Sequence, residues 1–315
     1  GTIKSAVFSA NVISRVAFGR RALRTTGGGT DYKASNIWVS DNQLLGWIDP
    51  ETEGSSHNGG GTSYNYLLVN FGPNAPAAKF GEWLVFERNT VTDSQVLMNV
   101  AGWEHVIVRD NVFTTPDHSQ ADKFHIGSNI SWDYRPTYDL QIIDNTFEYT
   151  GTISPGLKAG MIALWPYNNE AYYGRTAHED IVIARNVFRS SDPALKFLSI
   201  PEDPAQYAGL TSEHNIIYFA SDTDTIVEQR TATPTYYTLE GWRTLSGNDL
   251  ATQIYTDPNW PVPGWAKAPD SDVDSPSPVS YDRVEVTSSG ALSEVALWAR
   301  LDDGPWTDTG LRTSG

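Results

Sequence analysis

Cysteine is absent from all 315 residues, so the fold is held without disulfides and its redox compartment leaves no mark in the sequence. No run of about 18 apolar residues occurs, so no membrane-spanning helix is expected, and no signal peptide is visible. Gly1 leads almost directly into a first repeat, an arrangement expected when upstream residues have been removed. Basic residues are scarce: 22 Lys and Arg stand against 38 Asp and Glu, a formal charge of −16. Nucleic acid and anionic membranes are poor partners for such a chain, because phosphate binding needs a dense basic footprint. An acidic polysaccharide stays open, since a local cationic groove can exist on an acidic protein.

What the chain does have is one recurring phrase, a β-branched run, then Asn, then an apolar pair. It is clearest at Val106–Phe113 and returns at Ile37–Leu45, Leu84–Val91, Leu140–Phe147 and Ile181–Phe188, with weaker copies at Val7–Ile13 and Thr211–Ile217. A supersecondary unit repeated at intervals of roughly 20 to 50 residues marks a solenoid. Each unit carries a second apolar stretch: Val16–Phe18, Tyr66–Phe71, Val96–Val100, Lys123–Ile126, Met161–Trp165, Lys196–Leu198 and Thr225–Val227. No helical period lies between the stretches, which excludes βαβ units and makes them successive sides of a coil. Asn11, Asn42, Asn89, Asn111, Asn145, Asn186 and Asn215 would stack at a tight bend, because Asn tolerates left-handed angles and bonds nearby backbone. Aromatic residues at 12% suit sheet faces and sugar-stacking platforms.

In these repeated Asn phrases the chain resembles the right-handed parallel β-helix, or pectin-lyase-like, superfamily over about residues 5 to 265. The resemblance implies an all-β right-handed parallel β-helix of about seven coils, secreted or at a cell surface, working on carbohydrate. Residues 1–265 would form the β-helix and its C-terminal cap, with a short helix and Trp242 or Trp260 covering the last coil. Residues 266–280, rich in Pro, Asp and Ser, read as a linker, and residues 281–315 as a β-hairpin, with Arg283–Val286 and Glu294–Ala299 as alternating strands. Asp270, Asp272 and Asp274 give a weak calcium signal, because the Gly and Glu that a calcium loop needs are replaced by Ser275 and Tyr281.

Function in a solenoid lies in its loops and outward columns. Residues 49–63, 131–139, 167–178 and 202–210 are candidate loops, and Trp132, Tyr134, Arg135, Tyr172 and Arg175 would flank a groove as substrate contacts. Neighbouring coils are spaced about 4.8 Å apart, so outward residues form columns. Lys123 and His125 face outward in this frame, with Lys196 two coils later, Asn70 and Asn99 upstream, Trp165 between, and Glu228 or Arg230 beyond. Such a strip suits β-elimination on a uronate: Lys123 or His125 as base at C5, Lys196 or Arg230 clamping the carboxylate, Tyr167 protonating the leaving oxygen.

Three functions stay open: a lyase or epimerase on an acidic polysaccharide, a non-catalytic glycan-binding or surface scaffold, and a glycoside hydrolase. The last needs two carboxylates about 5 to 9.5 Å apart, for which Asp122, Asp139, Glu170, Glu202 and Glu228 are candidates. The polygalacturonase aspartates, the second Arg of the pectate lyase Arg-x-Pro-x-x-Arg motif and the epimerase Asp-Pro-His phrase are all missing. The resemblance therefore carries over no catalytic residue.

Overall fold

The computed structural model describes residues 5–16, 23–25, 34–46, 67–71, 81–92, 96–100, 102–115, 124–126, 137–149, 160–164, 177–190, 195–218, 224–230, 233–255, 295–299 and 307–313. These form two units, Gly1–Pro258 and Asn259–Gly315.

The first unit is all-β and is built from three eight-stranded sheets that the chain visits in rotation. The first sheet stacks Ala6–Ser9, Ser35–Ser40, Gly81–Glu87, Trp103–Arg109, Tyr138–Ile143, His178–Ala184 and Tyr207–Ala208, with Thr211–Glu213 also paired to His178–Ala184. The second stacks Val12–Val16, Gln43–Gly46, Thr90–Thr92, Val112–Thr115, Thr146–Tyr149, Val187–Ser190, Ile216–Tyr218 and Gln253–Tyr255. The third runs Leu23–Thr25, Leu67–Phe71, Val96–Val100, Phe124–Ile126, Gly160–Leu164, Lys196–Pro201, Val227–Arg230 and Thr235–Tyr237. All described pairings are parallel except the last, where Thr235–Tyr237 turns back against Val227–Arg230. The first strand of the third sheet is Leu23–Thr25, and Val16 instead ends a strand of the second sheet.

Alternation decides which side chains enter the core. Val106 and Val108 on the first sheet are buried while Ile107 between them is half-buried, and Val69, Phe71, Met98 and Val100 do the same work on the third. Rings join the sheets: Phe71 meets Phe86 edge-on at 5.9 Å, and Phe188 meets Phe197 at 5.3 Å. Along the stack Phe113, Phe147 and Phe188 lie face to face at 5.0 Å per step. Room is apportioned residue by residue: a Cβ on Gly81 would lie 2.4 Å from the buried Trp103 indole in the next round.

The seven asparagines form one ladder. Asn111 shows the unit: its backbone N–H and its amide both donate to Asn145 Oδ1, at 3.0 and 2.9 Å, and the amide also reaches Phe86 O. The pattern repeats from Asn11 to Asn215. The left-handed residue, however, is not Asn but the residue before it: Ala10, Asp41, Arg88, Asp110, Asp144, Arg185 and His214 all have φ between 52° and 59°. The turn of the backbone is made one residue early, which leaves Asn with its side chain inward on the ladder.

A helix, Leu239–Ser246, follows the third sheet, capped by Thr238 and ended by left-handed Gly247. Its Trp242 is fully buried and donates to Asp249, itself buried and also bonded by Ser212 and Thr252. Thr252 takes the eighth place on the ladder, accepting from Asn215 N at 3.0 Å. Trp260 and Asp270, Asp272 and Asp274 lie outside the described residues. In the second unit Val295–Ala299 pairs antiparallel with Thr307–Thr313, whereas Arg283–Val286 lies outside the described residues.

Candidate functional site

Connection lengths separate the corners of each round. Between the first and second sheets the link is always a two-residue bend, from Ala10-Asn11 to His214-Asn215. The links entering and leaving the third sheet vary, from the short 93–95 and 101–102 to the long 47–66, 127–137 and 165–177. Individual features of a repeat protein concentrate where its connections vary, so the third sheet is the candidate face.

Its register is set by apolar residues. Ile162 pairs with Leu198 and Leu198 with Val227, while Phe124 pairs with Met98 and Ile126 with Val100. Between these core positions runs one column: Arg24, Asn70, Asn99, His125, Ala163, Ser199, Glu228 and finally Tyr236. Its inner members Asn99, Ser199 and Glu228 are covered, at 1%, 0% and 3% exposed, while Tyr236 at its end is 51% exposed. Ser199 Oγ donates to Glu228 Oε2 at 3.2 Å, which couples two adjacent strands through a buried hydroxyl and carboxyl. Polar side chains are placed in such covered positions only with partners to offset their lost hydration. Beside the column Gln229 accepts from Tyr237 OH at 2.8 Å and donates to Glu202 O at 3.0 Å.

Of the residues expected to act, Asn70, Asn99 and His125 stand in this one column. Lys196 does not. It pairs with Gly160, three residues before Ser199 in its own strand, because matching Leu198 to Ile162 fixes the register. It is 7% exposed, with its ammonium 5.5 Å from the centroid of the Tyr236 ring. Arg230 pairs with Pro201 at the strand end. Lys123, Trp132, Tyr134, Arg135, Trp165, Tyr167, Tyr172 and Arg175 lie outside the described residues, as do Asp122 and Glu170.

Asp139, a candidate carboxylate, lies instead on the first sheet, bonded to His105 Nδ1 at 2.8 Å. It belongs to a second left-handed column that sequence reading missed: Asn36, Trp83, His105, Asp139 and Asp180, with φ from 47° to 61°. Trp83 stacks on His105 with centroids 4.2 Å apart. Asn36, His105, Asp139 and Asp180 are of types that adopt such backbone, but Trp83 interrupts them and they follow no shared phrase, so the column is not announced in the sequence.

The bend column carries bidentate Arg–Asp contacts. Arg88 forms paired bonds to Asp41 at 2.8 and 2.9 Å, and Arg185 does the same to Asp144 at 2.8 and 2.7 Å. Buried Glu87 takes Arg109 at 2.7 Å and also Arg88. Asp110 is squeezed between Arg88 and Asp144, and burial together with the Asp144 carboxylate pushes its carboxyl up to about 6. At the corner between the third and first sheets, His178 accepts from Thr137 N at 3.0 Å, and full burial pushes its imidazole down to about 3. The His178 contact ties two rounds together, whereas Asp110, set against a like charge, opposes the stacking of rounds.

Among the described residues no group of three or more His, Asp or Glu can hold a metal ion, and no helix is long and apolar enough to cross a membrane. Comparison of the chain with protein-family models, curated proteins and solved structures finds no match.

Proposed function

We infer that the three sheets are the faces of a right-handed parallel β-helix of the pectin-lyase-like kind, and that the chain engages an extracellular polysaccharide along its third face. The observation that carries this reading is the asymmetry of the connections. One corner is invariant in length and stapled by the asparagine ladder, while every variable link borders the third sheet. A face with a regular spacing of about 4.8 Å per round can meet an extended polymer in series; because Asn99, Ser199 and Glu228 of its polar column are covered, contact with the polymer is assigned to the variable links that border this face. The acidic balance of the chain disfavours nucleic acid as that polymer.

Within this reading β-elimination on a uronate is the reaction to test first. His125, in the column next to Asn99, is the base candidate together with Lys123. Lys196, covered and set against Tyr236, suits holding the sheet edge more than meeting a solvated carboxylate, which leaves Arg230 as the clamp candidate. Tyr167 remains the proton donor to examine. The assay is ultraviolet absorbance of unsaturated product over a panel of polyuronates and sulfated glycans. Product formation that His125→Ala abolishes supports the lyase reading. Saturable binding without product assigns the chain to the non-catalytic class, and neither binding nor product across the panel removes the polysaccharide reading.

A further inference from the structure

Two rings that point away from the core carry a cation of their own chain. The Lys196 ammonium lies 5.5 Å from the centroid of Tyr236, and the Arg189 guanidinium 5.1 Å from that of Tyr218. Trp83 on the first sheet is treated differently. His105 of the next round stacks on it with centroids 4.2 Å apart, yet Trp83 stays 52% exposed. Among the described residues no Lys or Arg lies over its indole.

The residues around Trp83 give the ligand its chemistry. The five strands of the first sheet from Ser35–Ser40 to His178–Ala184 contain no Lys. Their one Arg, Arg109, is bonded to buried Glu87 at 2.7 Å. Carboxylates gather at the start of these strands. Glu82 and Glu104 are in register beside Trp83 and His105, Asp139 lies 2.8 Å from His105 Nδ1, and Glu179 and Asp180 are exposed on the following strand. The neighbouring outward column is apolar, running from Trp38, 38% exposed, through half-buried Val85 and Ile107. Anionic and apolar rows therefore lie side by side, stepping about 4.8 Å per round.

We propose that this face binds a linear oligoamine. One ammonium lies over the Trp83 indole, the others lie among the carboxylates of successive rounds, and the alkylene chain runs along Val85 and Ile107. An exposed indole attracts an ammonium through its π face, and methylene stems cover apolar surface while their charged ends stay solvated or paired. The carboxylates alone would hold any cation loosely, and the indole with its apolar row selects one that carries an organic chain. An inorganic cation leaves that row uncovered, and a neutral sugar leaves the carboxylates without counter-charge. The site is on a different sheet from the face assigned to polysaccharide and stands independently of it.

The probe is spermine, titrated into the full chain by calorimetry at about 0.15 M salt, where diffuse attraction is screened. The expected result is saturable binding that weakens about tenfold in Trp83→Asn, which keeps the net charge and suits the left-handed backbone there, φ 61°. Glu104→Gln should weaken binding as well, whereas Glu240→Gln, which removes a carboxylate from the helix Leu239–Ser246, should leave it unchanged. Thermal melts report whether each variant is folded, and the contrast between Glu104→Gln and Glu240→Gln decides the matter if Trp83→Asn does not fold. Absence of saturable binding, full affinity in folded Trp83→Asn, or equal weakening by the Glu104 and Glu240 variants overturns the proposal. Tighter binding of a tetralysine peptide than of spermine would assign the face to a basic polypeptide and also overturn it.

Discussion

A ladder asparagine in the middle of the stack serves three rounds at once. Asn145 donates to Asn186 Oδ1, Val108 O and Ile143 O, and accepts from Asn111. Truncating it strands several buried backbone groups, each costing about 1–3 kcal/mol when left without a partner. Asn145→Ala should therefore lower the unfolding free energy by about 3–5 kcal/mol in a guanidinium titration. Asn11→Ala, at the exposed end of the ladder, should cost about 1 kcal/mol. Equal losses at the two positions would mean that the ladder does not act through burial.

Two titrating groups pull stability in opposite directions. Asp110 holds its proton more tightly folded, at about 6, than at its ordinary 3.8. Its contribution is thus fully present below about 3.8 and is lost as pH rises through 6. Asp110→Asn should be more stable than the parent chain by about 1–2 kcal/mol at pH 8, allowing for solvent screening, with the advantage gone at pH 4. His178 is the reverse: neutral when folded, with an imidazole pushed down to about 3 from 6.5. Stability is intact above 6.5 and falls as pH drops toward 3. His178→Asn, whose Oδ1 can accept from Thr137 N, should flatten that acid limb by about 1.4 kcal/mol per pH unit. Thermal melts across pH 3 to 8 measure both.

At the scale of strands and corners, the seven asparagines were legible because each sits in the same apolar frame. The left-handed residue before each was not, since Arg88, Arg185 and Ala10 carry none of the Gly or Asn signature of such backbone. Third-sheet strands were legible as apolar stretches, except Leu23–Thr25 and Thr235–Tyr237, whose three residues offer too little periodicity, and Val227–Arg230, which the stretch Thr225–Val227 meets only at Val227. Their register was harder. Lys123 and Lys196 look equivalent by position in their phrases, but core matching of Ile162 with Leu198 places Ser199 in the column and leaves Lys196 beside it. The candidate site was therefore readable as a sheet and as part of a column, through Asn70, Asn99 and His125, and unreadable where packing chose the register.

Packing between rounds also sets a tolerance that sequence alone conceals. Gly81 lies in register with Trp103, and an added methyl would meet the indole at 2.4 to 2.6 Å. Gly81→Ala should cost about 3 kcal/mol through overpacking, and Trp103→Leu in the same chain should recover part of that loss. A melting temperature unchanged by Gly81→Ala would show that the corner has room to relax.

Across the whole first unit, structure and individuality are divided between corners. The bend joining the first and second sheets repeats in length, backbone conformation and hydrogen bonding, and its charges pair with one another. The third sheet carries a column of differing polar residues and is bordered by every connection that varies. Under the proposed reading, such a division puts stability on one side of each round and recognition on another.

The most direct measurement is hydrogen exchange of the intact chain, read by mass spectrometry, with and without a polysaccharide found to bind in the panel. The account predicts added protection in strands of the third sheet, above all Phe124–Ile126, Gly160–Leu164 and Lys196–Pro201, with none at the Asp41 to His214 bends. Protection concentrated on the bend column or on the first sheet, with the third sheet unchanged, would contradict it.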